Sequence, residues 1–295
     1  MYYRRKIILS LLQVFDNELE KIKLQKLLFL FSRYKTEKKT YDFVPYKYGC
    51  YSFQANQDLL TLKKYGIVDS NDKIWRKEDS YDYLNELNRE DKKIIKDFKI
   101  IYGKKTNSDL IKLTYERYPY YAINSTVVEK YLNSSQLKSL DNYKSSENDT
   151  VLFTIGYEGI SLEKYLNKLI KNNIKVLCDV RKNALSMKYG FSKNQLSNAC
   201  YGVGIEYIHF PDLGIESDKR QKLEKQSDYN ILFEEYKRNK LTSTKDTQLK
   251  ILRLLEEKKR IALTCFEANI CQCHRKSLSE SIAIHEDFKY RLEHI

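Results

Sequence analysis

The sequence is poor in the two residues that most often interrupt regular structure. Its 295 residues include only nine glycines and three prolines, which excludes a collagen-like chain and one kept disordered by these residues. It also lacks a long hydrophobic run, since the longest, residues 27–31, is far too short to cross a bilayer. No apolar segment follows the basic start, so we predict no signal peptide and expect a cytoplasmic protein that does not enter a membrane.

Cysteine is present, but not in the pattern of a disulfide framework. The six cysteines of a cytosolic chain of this size are expected to stay reduced. Cys265, Cys271 and Cys273 lie close together before His274, and such a set invites comparison with a Zn²⁺ site. Their spacing, C-x5-C-x-C-H, lacks the usual knuckle of two to four residues, so we predict neither a metal nor another cofactor.

Positive charge exceeds negative charge by a wide margin. The chain has 53 lysines and arginines against 40 aspartates and glutamates, a formal net charge of +13. An excess of this size favours a polyanionic partner such as nucleic acid, or an acidic membrane surface. An AT-rich genome would also produce abundant lysine, asparagine, isoleucine and tyrosine, so this alternative stays open.

The first half of the sequence alternates helical and extended patterns. Helical spacing of apolar residues and an aromatic extended strip over 41–49 are followed by a helix over 53–65 and short strands at 67–68 and 74–75. This order predicts a mainly helical, winged-helix-like module. The predicted boundaries are 1–76 for the module, 77–133 for a helical extension packed on it, and 134–150 for a polar linker.

Aromatic and basic side chains are interleaved in the extended strip. Tyr46, Lys47, Tyr48 and Tyr51 combine rings that can stack on bases with a cation that can hold a phosphate. We therefore predict that these four residues contact nucleic acid. Packing of the module against its neighbour is the alternative explanation for most of them.

The motifs of this module resemble those of a known family. The sequence reads K-L-Q-K-L-L at 23–28, F-x-P-Y-x-Y-G-x-Y-S at 43–52 and D-L-x-x-L at 58–62. It is similar to the helical N-terminal domain of SocA/Panacea-like proteins over about a quarter of the chain, and departs from them at Cys50, where proline is common. The resemblance implies a regulatory, DNA-binding or toxin–antitoxin context.

From residue 151 the pattern changes to strands that alternate with helices. Strands are predicted at 151–155, 176–180, 205–210 and 261–265, with helices at 162–170, 193–201, 249–257 and 277–284. This alternation predicts an α/β domain over 151–295 with a mostly parallel sheet covered on both faces. Ligands of such sheets bind beyond the carboxyl ends of the strands.

Polar and reactive side chains follow each predicted strand or open the helix after the last one. These residues are Tyr157, Asp179, Arg181, His209, Cys265, Glu267, Cys273, His274 and Arg275. Because the carboxyl ends of parallel strands meet at one edge of a sheet, we expect these side chains to lie close together. The sequence therefore predicts a site at this edge.

We predict catalytic roles for four of these residues. Cys265 would act as a nucleophile or as a thiol that contacts substrate, and Glu267 with His274 would form an acid/base pair. Asp179 is the fourth catalytic candidate and shares a strand face with Arg181. An inert buried thiol at Cys265 and a nucleophilic, redox or metal-bound thiol all fit the sequence, so these alternatives stay open.

The other five residues are predicted to bind substrate. They are Tyr157, Arg181, His209, Cys273 and Arg275. Guanidinium groups and the amides of a helix start would suit phosphate or another anion. The structural alternatives are an ion pair between Asp179 and Arg181 that shapes the sheet edge, and a helix-capping role for His274 and Arg275.

The motifs of the second half also resemble a known family, DUF488. They are T-I-G at 154–156, D-V-R at 179–181, Y-x-H-x-P-x-L-G at 207–214, and C-x-E with C-H-R between 265 and 275. Their order and spacing match over essentially all of 151–295. The resemblance implies a Rossmann-like α/β domain with a candidate site built from these residues and no settled activity. Tyr157 stands where many members carry histidine, and Cys271 is extra to the motif.

Three functional hypotheses follow. The first is an enzyme, a hydrolase or transferase, that acts on nucleic acid (DNA rather than RNA), a nucleotide or another small anion that the basic N-terminal half helps to bind. The second is a DNA-binding regulator or sensor that uses the same arginines without turnover. The third is a toxin–antitoxin or phage-defence component that acts through a protein partner or as a homo-oligomer.

Overall fold

The structure is a computed structural model of the chain, and it describes residues 1–35, 40–145, 147–220 and 223–295. The chain divides into two compact units, Met1–Lys144 (unit 1) and Ser145–Ile295 (unit 2). None of the helices in the described ranges is long and apolar enough to cross a membrane.

Unit 1 is mainly helical. Helices α1–α6 span Tyr3–Val14, Lys21–Tyr34, Phe53–Lys64, Arg89–Tyr102, Asn107–Arg117 and Ser134–Ser139. Strands β1–β5 span Glu18–Glu20, Val44–Tyr46, Gly49–Tyr51, Val68–Ser70 and Ile74–Lys77. Strands β1, β5 and β4 form an antiparallel sheet, and β2 and β3 form an antiparallel hairpin. The predicted helical character of this half is confirmed, whereas its winged-helix identity stays a prediction.

Local signals explain where these elements begin and end. Ser52 caps α3 by accepting a hydrogen bond from the amide of Ala55, and the chain leaves that helix through Gly66, whose φ of +70° is left-handed. The segment 134–150, predicted as a linker, begins with α6 and a 3₁₀ turn over Leu140–Tyr143. Leu140 is buried in a cluster with residues of α5, so this part of the segment packs on unit 1.

A buried carboxylate ties the start of α1 to α3. Asp58 is fully buried and accepts hydrogen bonds from Arg4 Nε at 2.5 Å, Arg5 Nε at 2.8 Å and the Tyr41 hydroxyl at 3.0 Å. Burial alone would raise the pKa of Asp58, but the hydrogen bonds from the two arginines outweigh burial and lower it. Relative to its protonated form, the ionised form of Asp58 is therefore favoured more in the folded protein than in the unfolded chain.

We expect unit 1 to lose stability as the pH falls below about 4. A carboxyl whose pKa is lowered by folding contributes stability above its unfolded pKa of about 3.9 and loses it as the pH falls through its folded pKa. Asp58→Asn should cost about 2 kcal/mol at neutral pH and flatten this acid dependence. Trp75 is the one tryptophan of the sequence and is buried in unit 1, so its fluorescence in urea titrations reports this unit. The same acid dependence in the variant would contradict the prediction.

Unit 2 is built on a parallel five-stranded sheet. Strands β6–β10 span Val151–Gly156, Val176–Asp179, Glu206–His209, Arg260–Cys265 and Arg291–His294. Helices α7–α11 span Leu162–Lys171, Lys193–Tyr201, Gln226–Glu235, Lys245–Lys258 and His274–Ala283. The strand order is β10-β6-β9-β7-β8, and every neighbouring pair is parallel. The predicted α/β class with a parallel sheet is confirmed.

The central strands are buried on both faces. Every residue of β7 and β9, and all of β6 except Gly156, is buried, as expected for a parallel sheet covered by helices. Two elements were not predicted from the sequence: α9 and the edge strand β10. They extend the domain without changing the order of the four predicted strands.

Candidate functional site

The register of the sheet aligns the ends of four strands. Gly156 of β6 pairs with Cys265 of β9, and Asp179 of β7 pairs with Thr264 of β9 and with His209 of β8. Because side chains alternate along a strand, Cys265 and Asp179 project to opposite faces of the sheet at the same edge. Two polar groups therefore form at this edge, one centred on Asp179 and one on Cys265.

The first group is a buried ion pair. Arg181 donates from Nε to Asp179 Oδ1 at 2.8 Å and from Nη2 to the other carboxylate oxygen. Its Nη1 donates to the Tyr157 hydroxyl at 2.7 Å and to the Phe191 carbonyl at 2.9 Å. The Tyr207 hydroxyl donates to Asp179 Oδ2 at 2.6 Å. Every nitrogen of the Arg181 guanidinium thus has a partner inside the protein.

Burial and charge set the protonation of this group. Burial alone would lower the pKa of Arg181, but the hydrogen bonds and charge of Asp179 outweigh it and raise that pKa. Burial raises the pKa of Tyr157, and burial together with the Asp179 charge raises the pKa of Tyr207. Both phenols therefore stay protonated at neutral pH. His209 Nε2 lies 2.8 Å from the Arg181 carbonyl, which can only accept, so this nitrogen donates and fixes the turn after β7.

The second group surrounds the Cys265 thiol. Its Sγ lies 3.1 Å from Glu267 Oε2 and 3.7 Å from His274 Nδ1. His274 is fully buried, and its Nε2 lies 3.1 Å from the Val180 carbonyl. Since a carbonyl only accepts hydrogen bonds, Nε2 carries the proton in the neutral form of the ring, and Nδ1, which then has a lone pair, faces Cys265 Sγ.

A second thiol lies beside this pair. Cys273, the residue before α11, is fully buried, and its Sγ, Cys265 Sγ and a ring nitrogen of His274 all lie within 4.8 Å of one another. Burial raises the pKa of the Cys273 thiol well above its usual value, and the neighbouring Cys265 adds to this rise. The predicted cysteines and histidine are therefore brought together, whereas the nearby Cys271 is exposed.

Arg275 braces the loop that carries Glu267. It donates from Nη1 to the Glu267 carbonyl at 2.5 Å and from Nη2 to the Ala268 carbonyl at 3.2 Å. The loop also lies directly against Gly156, where a Cβ atom would come within 1.9 Å of the Glu267 carbonyl oxygen. A glycine at 156 is therefore required by this close approach.

A cleft of about 560 Å³ opens where the two groups meet. Four predicted residues line it: Tyr157, Arg181, Cys265 and Glu267. The other five predicted residues of unit 2, which are Asp179, His209, Cys273, His274 and Arg275, each contact one of those four or their backbone. The nine predicted residues of unit 2 therefore lie together at this edge of the sheet, and their functional roles stay a prediction.

Sequence reasoning missed the cations of the cleft. Lys182 and Lys188 also line it, together with the neutral Asn183, and Lys188 donates to the Tyr157 carbonyl at 2.6 Å. Burial lowers the pKa of Lys188. These residues lie in the irregular segment between β7 and α8, directly after the D-V-R motif. That segment follows the carboxyl end of a strand, a position that could have identified it.

The predicted nucleic-acid residues of unit 1 lie together on the β2–β3 hairpin. The Tyr46 and Tyr51 rings stack at 5.0 Å, and both contact Phe53 edge-on. Lys47 and Tyr48 form the exposed turn between the two strands. One face of each stacked ring is used in packing, which is the alternative that the sequence left open; contact with nucleic acid stays a prediction.

Comparison with known proteins bears on unit 2. Residues 161–282 match the family described as "Domain of unknown function DUF488". The match runs from the cap of α7 into α11, so it includes Asp179, Arg181, Cys265, Glu267 and His274. No curated protein and no solved structure matches the chain. The match lies within unit 2, so residues 161–282 are similar to DUF488 domains.

Proposed function

We propose that unit 2 is an enzyme, a hydrolase or transferase, that acts on an anionic substrate bound in the cleft. The observation that carries this proposal is the Cys265 thiol, which lies between the Glu267 carboxylate and the Nδ1 lone pair of His274 on the wall of the cleft. A thiol beside a base that a third group orients is the arrangement of an activated nucleophile. The Val180 carbonyl is that third group, since it holds the tautomer of His274.

In the proposed reaction the Cys265 sulfur attacks the electrophilic atom of the substrate. His274 Nδ1 accepts the thiol proton, the sulfur forms a bond to the substrate, and the leaving group departs with its electron pair. His274 then gives this proton to the leaving group. The Glu267 carboxylate lines the cleft, takes a proton from the acceptor as the acceptor displaces the sulfur, and returns that proton to the departing thiolate 3.1 Å away. Water as the acceptor gives hydrolysis, and another nucleophile gives transfer.

Lysines rather than arginines hold the substrate in this proposal. All three guanidinium nitrogens of Arg181 and both Nη atoms of Arg275 donate to groups within the protein, so these residues position Asp179 and the Glu267 loop. Lys182 and Lys188 line the same cleft as Cys265 and bring positive charge to it, although Lys182 also pairs with Glu216. Together with the net charge of +13, they favour a nucleic acid or a nucleotide as the substrate.

We extend the proposal to unit 1 as a winged-helix-like module that contacts DNA or RNA, and to unit 2 as a Rossmann-like domain. The helices and the small antiparallel sheet β1-β5-β4 support the first assignment, and the parallel sheet with its site at the strand ends supports the second. None of the six cysteines, all within the described ranges, forms a disulfide bond. This fits the reducing cytoplasm in which we place the protein.

The test is a substrate screen with matched variants. Duplex DNA, single-stranded DNA, RNA and nucleotides are incubated with the protein and a metal chelator, and products are identified by mass spectrometry. We expect turnover by the wild type and by the control Cys271→Ser, none by Cys265→Ser, and a loss of about 100-fold or more in Glu267→Gln. Salt-sensitive DNA binding without any product would contradict the enzyme and favour the regulator.

A further inference from the structure

We infer that Cys265, Cys273 and His274 form a binding site for Zn²⁺. Two thiols and an imidazole are the donor set that this ion prefers in proteins. Within the part of the chain that the structure describes, they are the one group of metal-binding side chains whose donor atoms converge, all within 4.8 Å of one another. All three residues are buried, so the ion would be shielded from bulk water.

The distance between the sulfur and the imidazole nitrogen fits a tetrahedral ion. Zinc lies about 2.3 Å from sulfur and about 2.0–2.1 Å from nitrogen, so two such ligands of a tetrahedral ion are about 3.6 Å apart. Cys265 Sγ and His274 Nδ1 are 3.7 Å apart. An ion can therefore bind both atoms without a rearrangement of the strand end or the helix.

The orientation of His274 is that of a metal ligand. Histidines that bind metals generally donate their other ring N–H to a carboxylate, a backbone carbonyl or water. His274 donates from Nε2 to the Val180 carbonyl at 3.1 Å, which directs Nδ1 to the two thiols. The ring is thus held in the tautomer that binding requires before any ion arrives.

The backbone explains how two adjacent residues serve one ion. Cys273 has an extended conformation, with φ −130° and ψ 133°, and His274 is the first residue of α11. This change from extended to helical backbone brings both side chains to Cys265. The sequence spacing argued against a metal because that change at Cys273 is not visible in it.

The cleft provides the route for the ion. Cys265 lines the cleft together with Glu267, and Cys273 and His274 lie behind it, fully buried. On the cleft side, Glu267 Oε2 accepts a hydrogen bond from Cys265 Sγ at 3.1 Å, and the three converging donors leave the fourth position of a tetrahedral ion to a ligand from the cleft. The site is therefore open toward the substrate cleft.

Zinc binding and thiol attack exclude each other. The ion would occupy the sulfur and the nitrogen lone pair that the proposed reaction uses, so Zn²⁺ would inhibit turnover and a chelator would restore it. This consequence rests on the proposed function, whereas the binding site itself does not.

The experiment uses the full chain freed of metal and titrated with Co²⁺ and then Zn²⁺. We expect one Co²⁺ per chain with thiolate charge-transfer absorption, displaced by one Zn²⁺, in the wild type and in the control Cys271→Ser. Cys265→Ser, Cys273→Ser and His274→Gln should bind more than about 100-fold more weakly, since loss of a mere supporting residue already costs 10- to 100-fold. Circular dichroism of the metal-free variants shows whether they fold.

A second measurement needs no variant. In the wild type, Zn²⁺ should protect Cys265, which lines the cleft, from alkylation and leave the exposed Cys271 reactive, as read by mass spectrometry. Absence of charge-transfer absorption, or equal alkylation of Cys265 with and without Zn²⁺, would overturn the site. Stoichiometric metal binding with no turnover of any substrate would support the zinc site and refute the proposed enzyme. Turnover by a chain that binds no metal would refute the zinc site and support the enzyme.

Discussion

Replacement of Arg181 by methionine is expected to destabilise unit 2 by about 4 kcal/mol. Methionine has a side chain of similar length to arginine but no charge. The substitution therefore leaves the fully buried Asp179 carboxylate without its counter-charge. It also removes the donor that Nη1 provides to the Tyr157 hydroxyl and the Phe191 carbonyl. Loss of one partner of a buried pair typically costs 3–5 kcal/mol, because the other charge stays buried and unpaired.

A double variant separates the lost ion pair from lost packing. Asp179→Asn removes the orphaned charge, so Asp179→Asn/Arg181→Met should be more stable than the sum of the two single changes predicts, by about 2 kcal/mol. Lys182→Met is the matched control, since this lysine is next to Arg181 but forms its ion pair with Glu216, and both side chains are partly exposed. It should cost less than about 1 kcal/mol.

The two units allow unit 2 to be measured separately. Cys178 and Cys200 are fully buried in unit 2, so their rate of alkylation under increasing urea reports its unfolding. Trp75 fluorescence reports unit 1 and should not change with these variants. Equal stability of Arg181→Met and Lys182→Met would show that the buried pair does not hold this edge of the sheet together.

The same ion pair shows how far the sequence could lead. The motif D-V-R at the end of a predicted strand places Asp179 and Arg181 on one face, and both an ion pair and an anion clamp fit that spacing. The structure contains the ion pair because Tyr157, Phe191 and Asp179 together take up all of the Arg181 nitrogens. Two of these partners are distant in sequence, so periodicity could not select between the alternatives.

Periodicity also determined which elements were found. The strands β6, β7 and β9 are mostly apolar, and they were predicted within one or two residues of their observed ends. Strand β10 reads R-L-E-H and is recognised only by its pairing with β6, which depends on tertiary structure. Lys182 and Lys188 lie in a segment without regular structure, where no repeating pattern exists to interpret.

Replacement of Gly156 by alanine is expected to displace the loop that carries Glu267. The new Cβ would lie 1.9 Å from the Glu267 carbonyl oxygen and 2.7 Å from its carbon, distances that real structures do not contain. Because the atoms in the way belong to the backbone of Glu267, no side-chain rotation can relieve the clash. The loop itself must move by roughly an ångström. Overpacking of this kind costs about 1–3 kcal/mol, and a shift of that size at a reacting group costs about 100-fold in rate.

Gly159→Ala is the control that separates stability from position. Gly159 has a φ of +74° and nothing within 4 Å of its added Cβ, so alanine there costs about 1–2 kcal/mol through backbone strain alone. The two variants should therefore have similar stability, whereas only Gly156→Ala should change the alkylation rate of Cys265 and the turnover. The contacts of Glu267 with Cys265 and Arg275 all depend on the position of this loop. Wild-type rates of Cys265 alkylation and of turnover in both alanine variants would contradict this prediction. The close approach at Gly156 would then contribute only to stability, and the reaction would not depend on the observed position of Glu267.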